Sequence, residues 1–130
     1  MERTMGGTPM DVGQSTADAL WQQAVGGTFK MEPGAAHRCA NVFERFAESL
    51  DKQVQDSYLI HALSGFGDFT SANDLQSGFA KKGESLTEAL LGIQEAALRM
   101  AAAYLRAGND LEGADDMNRR AINAASGVAK

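Results

Sequence analysis

From Leu75 to Leu111 the apolar residues recur in steps of three, four or seven: Leu75, Phe79, Leu86, Leu90, Ile93, Ala97, Met100, Tyr104 and Leu111. That rhythm keeps one stripe on one side of an α-helix over about five heptads. A second row, Leu91, Leu98 and Leu105, repeats at heptad spacing and is rotated by roughly 100° from Leu90. Lys81, Glu84, Glu88, Glu95, Arg99 and Arg106 take the remaining face. Such a segment has to find helical partners on two sides, and its spacing predicts one helix over about 74 to 112.

Both prolines, Pro9 and Pro33, lie near the start, so no residue from Gly34 onward is barred from a helix by proline. Pro33 suits the first turn of a helix running to about Ala62. Along it Ala36, Cys39, Phe43, Phe46, Ala47, Leu50, Val54 and Tyr58 share one side, with Glu44, Arg45, Glu48, Lys52, Gln55 and Asp56 on the other. Leu63 to Asn73 reads as the connecting loop, because Gly65 and Gly67 break the periodicity, and Ser71 with Asp74 can cap the helix that follows. Upstream, the pairs Gly6-Gly7 and Gly26-Gly27 bracket a short helical pattern from Ser15 to Val25, with Ser15 and Asp18 as its cap and Leu20, Trp21 and Ala24 as its apolar patch. Two or three turns do not hold themselves together in water. Residues 1–30 are therefore expected to form a flexible arm with a short helix, or a helix that docks elsewhere; 113–130 reads as a C-terminal helical extension or flexible tail.

The fold expected is all-α, with residues 31–112 forming an antiparallel two-helix hairpin. One partner helix with a single stripe covers an arc of about 100°, whereas the second helix presents apolar residues over nearer 180°. The hairpin would leave a leucine row uncovered, so dimerisation into a four-helix bundle is expected, with Leu91, Leu98, Leu105 and Trp21 at the partner interface. The alternative is that the arm folds back over that row with Trp21 as the plug.

Charge and composition narrow the function. Twelve basic against 17 acidic residues give a net charge of −5, which opposes non-specific attraction to nucleic acid or anionic lipid. No run of about 18 apolar residues suggests membrane insertion, and the glycine-rich start from Met1 to Gly13 does not read as a cleaved signal peptide. Cys39 stands alone, which points to a reducing compartment, and its place on the apolar stripe reads as a small buried hydrophobe. His37 and Cys39 point apart on a helix and His61 is distant, so no metal is expected. Gly65-Phe66-Gly67 follows no strand and lacks the rest of a phosphate loop. With no Cys/His pair on a shared face and no paired carboxylates in the stripes, neither an enzyme nor a cofactor is expected. Phe66 and Phe69 read as a plug for the bundle's end or as a recognition knob; Asp110, Glu112, Asp115 and Asp116 read as a solvated run or as part of an export or partner signal.

Taken together, two long helices, the turn Ser64-Gly65-Phe66-Gly67-Asp68-Phe69 and an Ala-, Gly- and Asp-rich C-terminal segment resemble the WXG-type family of type VII secretion proteins, over Phe29 to about Ile122. The resemblance implies a small helical hairpin that pairs with another such protein as a homo- or heterodimer, in actinobacteria or related bacteria. It also implies residence in the bacterial cytoplasm or export by a route that reads no signal peptide, with a secretion ATPase or a toxin as further candidate partners. The turn has Gly65, Phe66, Gly67 and Phe69 where the family carries Trp-x-Gly. The family's export signal is Tyr-x-x-x-Asp/Glu past the second helix; here Tyr104 meets Gly108, while Leu111 and Asp115 keep the spacing and the acid without the ring. A cytoplasmic toxin-neutralising or adaptor protein is the alternative reading.

Overall fold

The structure, a computed structural model, describes residues 11–61 and 70–127. All its regular structure among these residues is helical: α1 (Gln14–Gly26), α2 (Pro33–Ser49), α3 (Asp51–His61), α4 (Thr70–Ala107) and α5 (Leu111–Ala125). α4 is the axis of the fold and packs against every other helix.

Local chemistry explains the ends of these elements. Asp11, rather than Ser15, organises the start of α1: its carboxylate accepts from the Gly13 amide and from the Ser15 hydroxyl, and Gly13 is the N-cap residue. Gly27 ends α1 in a left-handed conformation, with the Thr28 amide reaching back to the Gln23 carbonyl. Pro33 opens α2 as the sequence suggests, and Glu32 caps it by accepting from the Gly34 and Ala35 amides. Those two bonds hold the Glu32 carboxyl below its ordinary pKa, the Ala35 amide first.

The single helix expected to about Ala62 is two helices. The Leu50 amide bonds to the Ala47 carbonyl in a tightened turn, and the Ser49 hydroxyl takes the Phe46 carbonyl at 2.7 Å. A hydroxyl bonded back to the preceding turn favours a bend. Buried Gln94 on α4 stitches the break from the other side, its Nε2 donating to the Ala47 carbonyl at 2.9 Å and to Asp51 Oδ1 at 2.7 Å. One turn pair further on, buried Ser57 and Thr87 share a hydroxyl hydrogen bond. The order of these contacts, 47 with 94 and 57 with 87, sets α2 and α3 antiparallel to α4.

α4 also stops earlier than expected. The Asn109 amide bonds to the Arg106 carbonyl and the Asp110 amide to the Leu105 carbonyl, with Asn109 itself left-handed at φ 66°. This is the Schellman arrangement, for which Asn is the usual substitute for glycine. Asp110 then caps α5 by accepting from the Gly113 amide at 3.0 Å. The boundary placed at 112 thus falls inside α5, and most of the segment read as extension or tail is a docked helix.

The core is unusually rich in alanine: Ala40, Ala47, Ala97, Ala101, Ala102, Ala114, Ala121 and Ala124 surround Leu98, Leu105 and Met117. Small side chains let helix axes approach closely, and large apolar groups then fit only at the margins. Phe43 and Tyr104 stack at one such margin with centroids 5.6 Å apart, and Phe29 meets Tyr104 edge-on at 5.7 Å. Cys39 is half-buried rather than buried.

Candidate functional site

The two apolar rows of α4 are covered differently from what periodicity suggests. Leu98 is 0% exposed and Leu105 is buried, both inside the chain's own core, while Leu91 is half-buried. The face that covers them belongs to α5, through Ala114, Met117, Ala121 and Ala124. The partner interface expected at Leu91, Leu98 and Leu105 is therefore corrected, because a fifth helix fills the arc that a hairpin alone would leave open. Trp21 is half-buried against the same core, in a crevice with Asp18, Arg99 and Asn118, so α1 docks as a support rather than as the main cover.

Of the stripe expected to face inward, the upstream part is left open, while Ala97 lies in the core and Tyr104 packs against it. α1 begins level with Gly92 and Ala96, where Gln14 and Gly13 lie against α4. α5 ends near Leu91, with Gly127 beside it. Upstream of that level only α3 packs on α4 among the described helices. Leu75 is 56% and Leu86 43% exposed as a result, and Phe79 beside them is half-exposed. The open stripe continues into a groove of about 260 Å³ between α1, α2 and α4, walled by Val12, Phe43, Phe46, Ile93 and Met100. Phe46, at 47% exposure, and Val42 extend it along α2. Covering each such leucine would contribute about 1.5 to 3 kcal/mol if its burial became complete, so this face is suited to receive another apolar surface.

The other residues singled out in the sequence separate. Gly65, Phe66, Gly67 and Phe69 lie outside the described residues. Leu111 and Asp115 are both exposed, one turn apart on α5 and away from its buried alanine face. Tyr104, by contrast, is held between two aromatic rings inside the helix assembly. Among the described residues no group of three or more His, Cys, Asp or Glu side chains is placed to hold a metal ion, and no helix is long and apolar enough to cross a membrane.

Two polar ties fasten α5, and periodicity pointed to neither. Arg120 reaches Glu44 at 2.7 Å and Glu48 at 3.2 Å on α2. At the other end His37 lies between two acceptors, its Nδ1 2.9 Å from the Pro33 carbonyl and its Nε2 2.9 Å from Asp110 Oδ2. Only the imidazolium can donate to both. The Pro33 carbonyl, and then Asp110, raise the His37 pKa above its ordinary 6.5. Asp110 is held below its ordinary 3.8 by the Gly113 amide first, with His37 adding to it.

A group whose pKa is raised on folding contributes below its unfolded value and ceases to contribute as pH rises through the folded one; a lowered carboxylate contributes above its unfolded value. The α2–α5 corner is thus held by both groups in mildly acidic solution, between the Asp110 and His37 titrations. Carbon-detected NMR titration should place the His37 midpoint above 6.5 and return it toward that value in Asp110→Asn. A midpoint unmoved by the substitution would mean that the tie does not form.

No family model, no curated protein and no solved structure matches the chain.

Proposed function

We propose that this chain is a non-enzymatic helical partner protein of the kind found in type VII secretion, acting as subunit, chaperone or co-secreted substrate by pairing with another helical protein. The observation that supports the reading is the open apolar stripe of α4, with Leu75 and Leu86 exposed on the upstream half of the helix, where only α3 packs among the described helices. α3 and the upstream half of α4 form the antiparallel pair that presents this stripe. Docking a second such pair would complete a four-helix bundle, the arrangement that the resemblance to WXG-type proteins also implies. On this reading Leu111 and Asp115 stand exposed where a receptor would read them, with an aliphatic side chain in place of the aromatic ring.

That same replacement favours a second reading. Tyr104, the one tyrosine near the end of α4, is half-buried between Phe29 and Phe43, and has Gly108 rather than an acid four residues on. An acid at Asp115 paired with the aliphatic Leu111 rather than with a ring suits retention in the cytoplasm, as an adaptor or as the neutralising partner of a toxin.

One experiment separates them. The chain is expressed in its native host with and without the product of the adjacent gene, and the medium and the cells are assayed for both. Co-export, or a complex that Leu86→Glu disrupts while helix content is kept, supports the first reading. A complex that silences a toxic neighbour without export supports the second. Absence of any complex that depends on Leu86 overturns helix pairing as the function.

A further inference from the structure

We infer that the cavity at the downstream end of α4 binds an oxyanion carried on a small apolar body, a carboxylate or a phosphate monoester, through Arg106 and Lys30. The cavity lies at the other end of α4 from the open stripe and is independent of helix pairing.

Arg106 stands out by having no partner. The half-buried arginines among the described residues are Arg99, Arg106 and Arg120. Arg99 pairs with Glu95 at 2.9 Å, and Arg120 with Glu44 at 2.7 Å and Glu48 at 3.2 Å. The Arg106 guanidinium makes neither an ion pair nor a hydrogen bond with any described residue. Withdrawing such a group from water without an acceptor is costly, so the position calls for one. The helix end does not supply it. The last four carbonyls of α4, those of Tyr104, Leu105, Arg106 and Ala107, already accept from the amides of Gly108, Asp110, Asn109 and Met31 in that order.

Arg106 lines a cavity of about 440 Å³ between the end of α1, the connection into α2 and the turn after α4. That volume lies within the range of small-molecule sites. Phe29, Met31 and Pro33 give the cavity an apolar wall, and Arg106 and Lys30 are the charged side chains that line it. Lys30 lies back along the end of α1, its Cε 3.8 Å from where a Cβ on Gly27 would stand. The nearest acids in sequence are engaged elsewhere, Glu32 with the Gly34 and Ala35 amides and Asp110 with Gly113 and His37. The C-termini of α1 and α4 together supply the equivalent of about one negative charge, so two cations leave about one positive charge uncompensated. The chain's net charge of −5 opposes an anion only at long range, where salt screens it beyond about 8 to 10 Å. An oxyanion can take the guanidinium fork in two parallel bonds. An apolar group attached to it would cover the wall that a bare ion leaves in water.

NMR titration of the isotope-labelled full chain tests the site with benzoate, phenyl phosphate, inorganic phosphate and benzamide. Benzoate or phenyl phosphate should shift the amides of Met31, Gly108 and Asn109 saturably, with half-saturation at about 1 mM, and the tighter of the two tells whether carboxylate or phosphate is preferred. Inorganic phosphate and benzamide each lack one half of the ligand and should bind at least about tenfold more weakly. Arg106→Gln and Lys30→Gln should each weaken binding of the organic anion by about tenfold with the circular dichroism spectrum unchanged. Lys30 is exposed, so its variant carries the test should Arg106→Gln disturb folding. Failure of both organic anions to saturate by about 20 mM overturns the assignment. So does inorganic phosphate or benzamide that binds as tightly as they do, or undiminished binding in either folded variant.

Discussion

Leu98→Asp should unfold the chain, and Leu98→Ala should cost about 2 to 5 kcal/mol of stability in urea denaturation, the range for truncating a leucine in a close-packed core. Among the described residues Leu98 is the largest fully buried apolar side chain, and it sits where α4, α5 and Trp21 converge. A carboxylate there would have no partner of opposite charge within the alanine-lined core, so its burial adds a further penalty to the lost packing. Total stabilities of domains this size are commonly about 5 to 15 kcal/mol, and a loss of that order removes much of the folded population. Leu86→Glu, 12 residues upstream on the same helix, is expected to change stability by about 0.5 kcal/mol or less, because its side chain is already half in water. The two variants together read out which apolar row is internal. If Leu98→Asp left the circular dichroism melt unchanged and instead altered association, α5 would not cover the row in solution.

That α5 covers the Leu98 row while the upstream stripe of α4 stays open follows from what periodicity measures. Spacing in the sequence locates apolar faces and their relative rotation, and the rotation between the Leu90 and Leu91 rows was legible. It does not say which neighbour covers which face, because that depends on helices whose own signals are weaker. α5 buries Ala114, Met117, Ala121 and Ala124, a stripe with the right spacing but almost no large side chains. Alanine is a strong helix former at surface and interior positions alike, so such a stripe does not announce a core. A stop signal at Gly108-Asn109 followed by Asp110 as a cap was available to mark a third long element, but Leu111 in heptad step with Tyr104 masked it.

Other features were legible for physical reasons that act locally. The all-helical class follows from the absence of proline after Pro33 and from sustained periodicity, and Pro33 itself stands in the first turn of α2. The break at Leu50 was not, because it depends on Gln94, 43 residues from Asp51 in the chain, reaching across to the Ala47 carbonyl and the Asp51 carboxylate. The candidate site divides in the same way. Leu75, Phe79 and Leu86 were recognised as one stripe, but their exposure comes from where α1 begins and α5 ends along α4, a property of the assembled helices.

Close helix contact at the end of α4 leads to the second large effect. A Cβ built on Gly108 would stand 2.4 Å from the Cβ of Ala36 and 3.5 Å from the Cα of Pro33, so the first turn of α2 rests directly on the end of α4. Gly108 needs no unusual backbone angle; the left-handed residue of this turn is Asn109. The glycine is required for proximity. Gly108→Ala should therefore cost about 1 to 3 kcal/mol, the usual range for forcing an extra carbon into a packed contact. The cost would come from prising apart α2 and α4 beside the His37–Asp110 tie and the bond from the Met31 amide to the Ala107 carbonyl. Ala36→Gly isolates the cause. By itself it should cost about 0.5 to 1 kcal/mol through lost helix propensity. Combined with Gly108→Ala it removes the carbon that the new methyl strikes, so the pair should be less destabilised than the two single costs added together, by at least about 1 kcal/mol. Strict additivity of the two losses would show that the methyl is tolerated by a shift elsewhere and that contact between Ala36 and Gly108 does not set the spacing of the two helices.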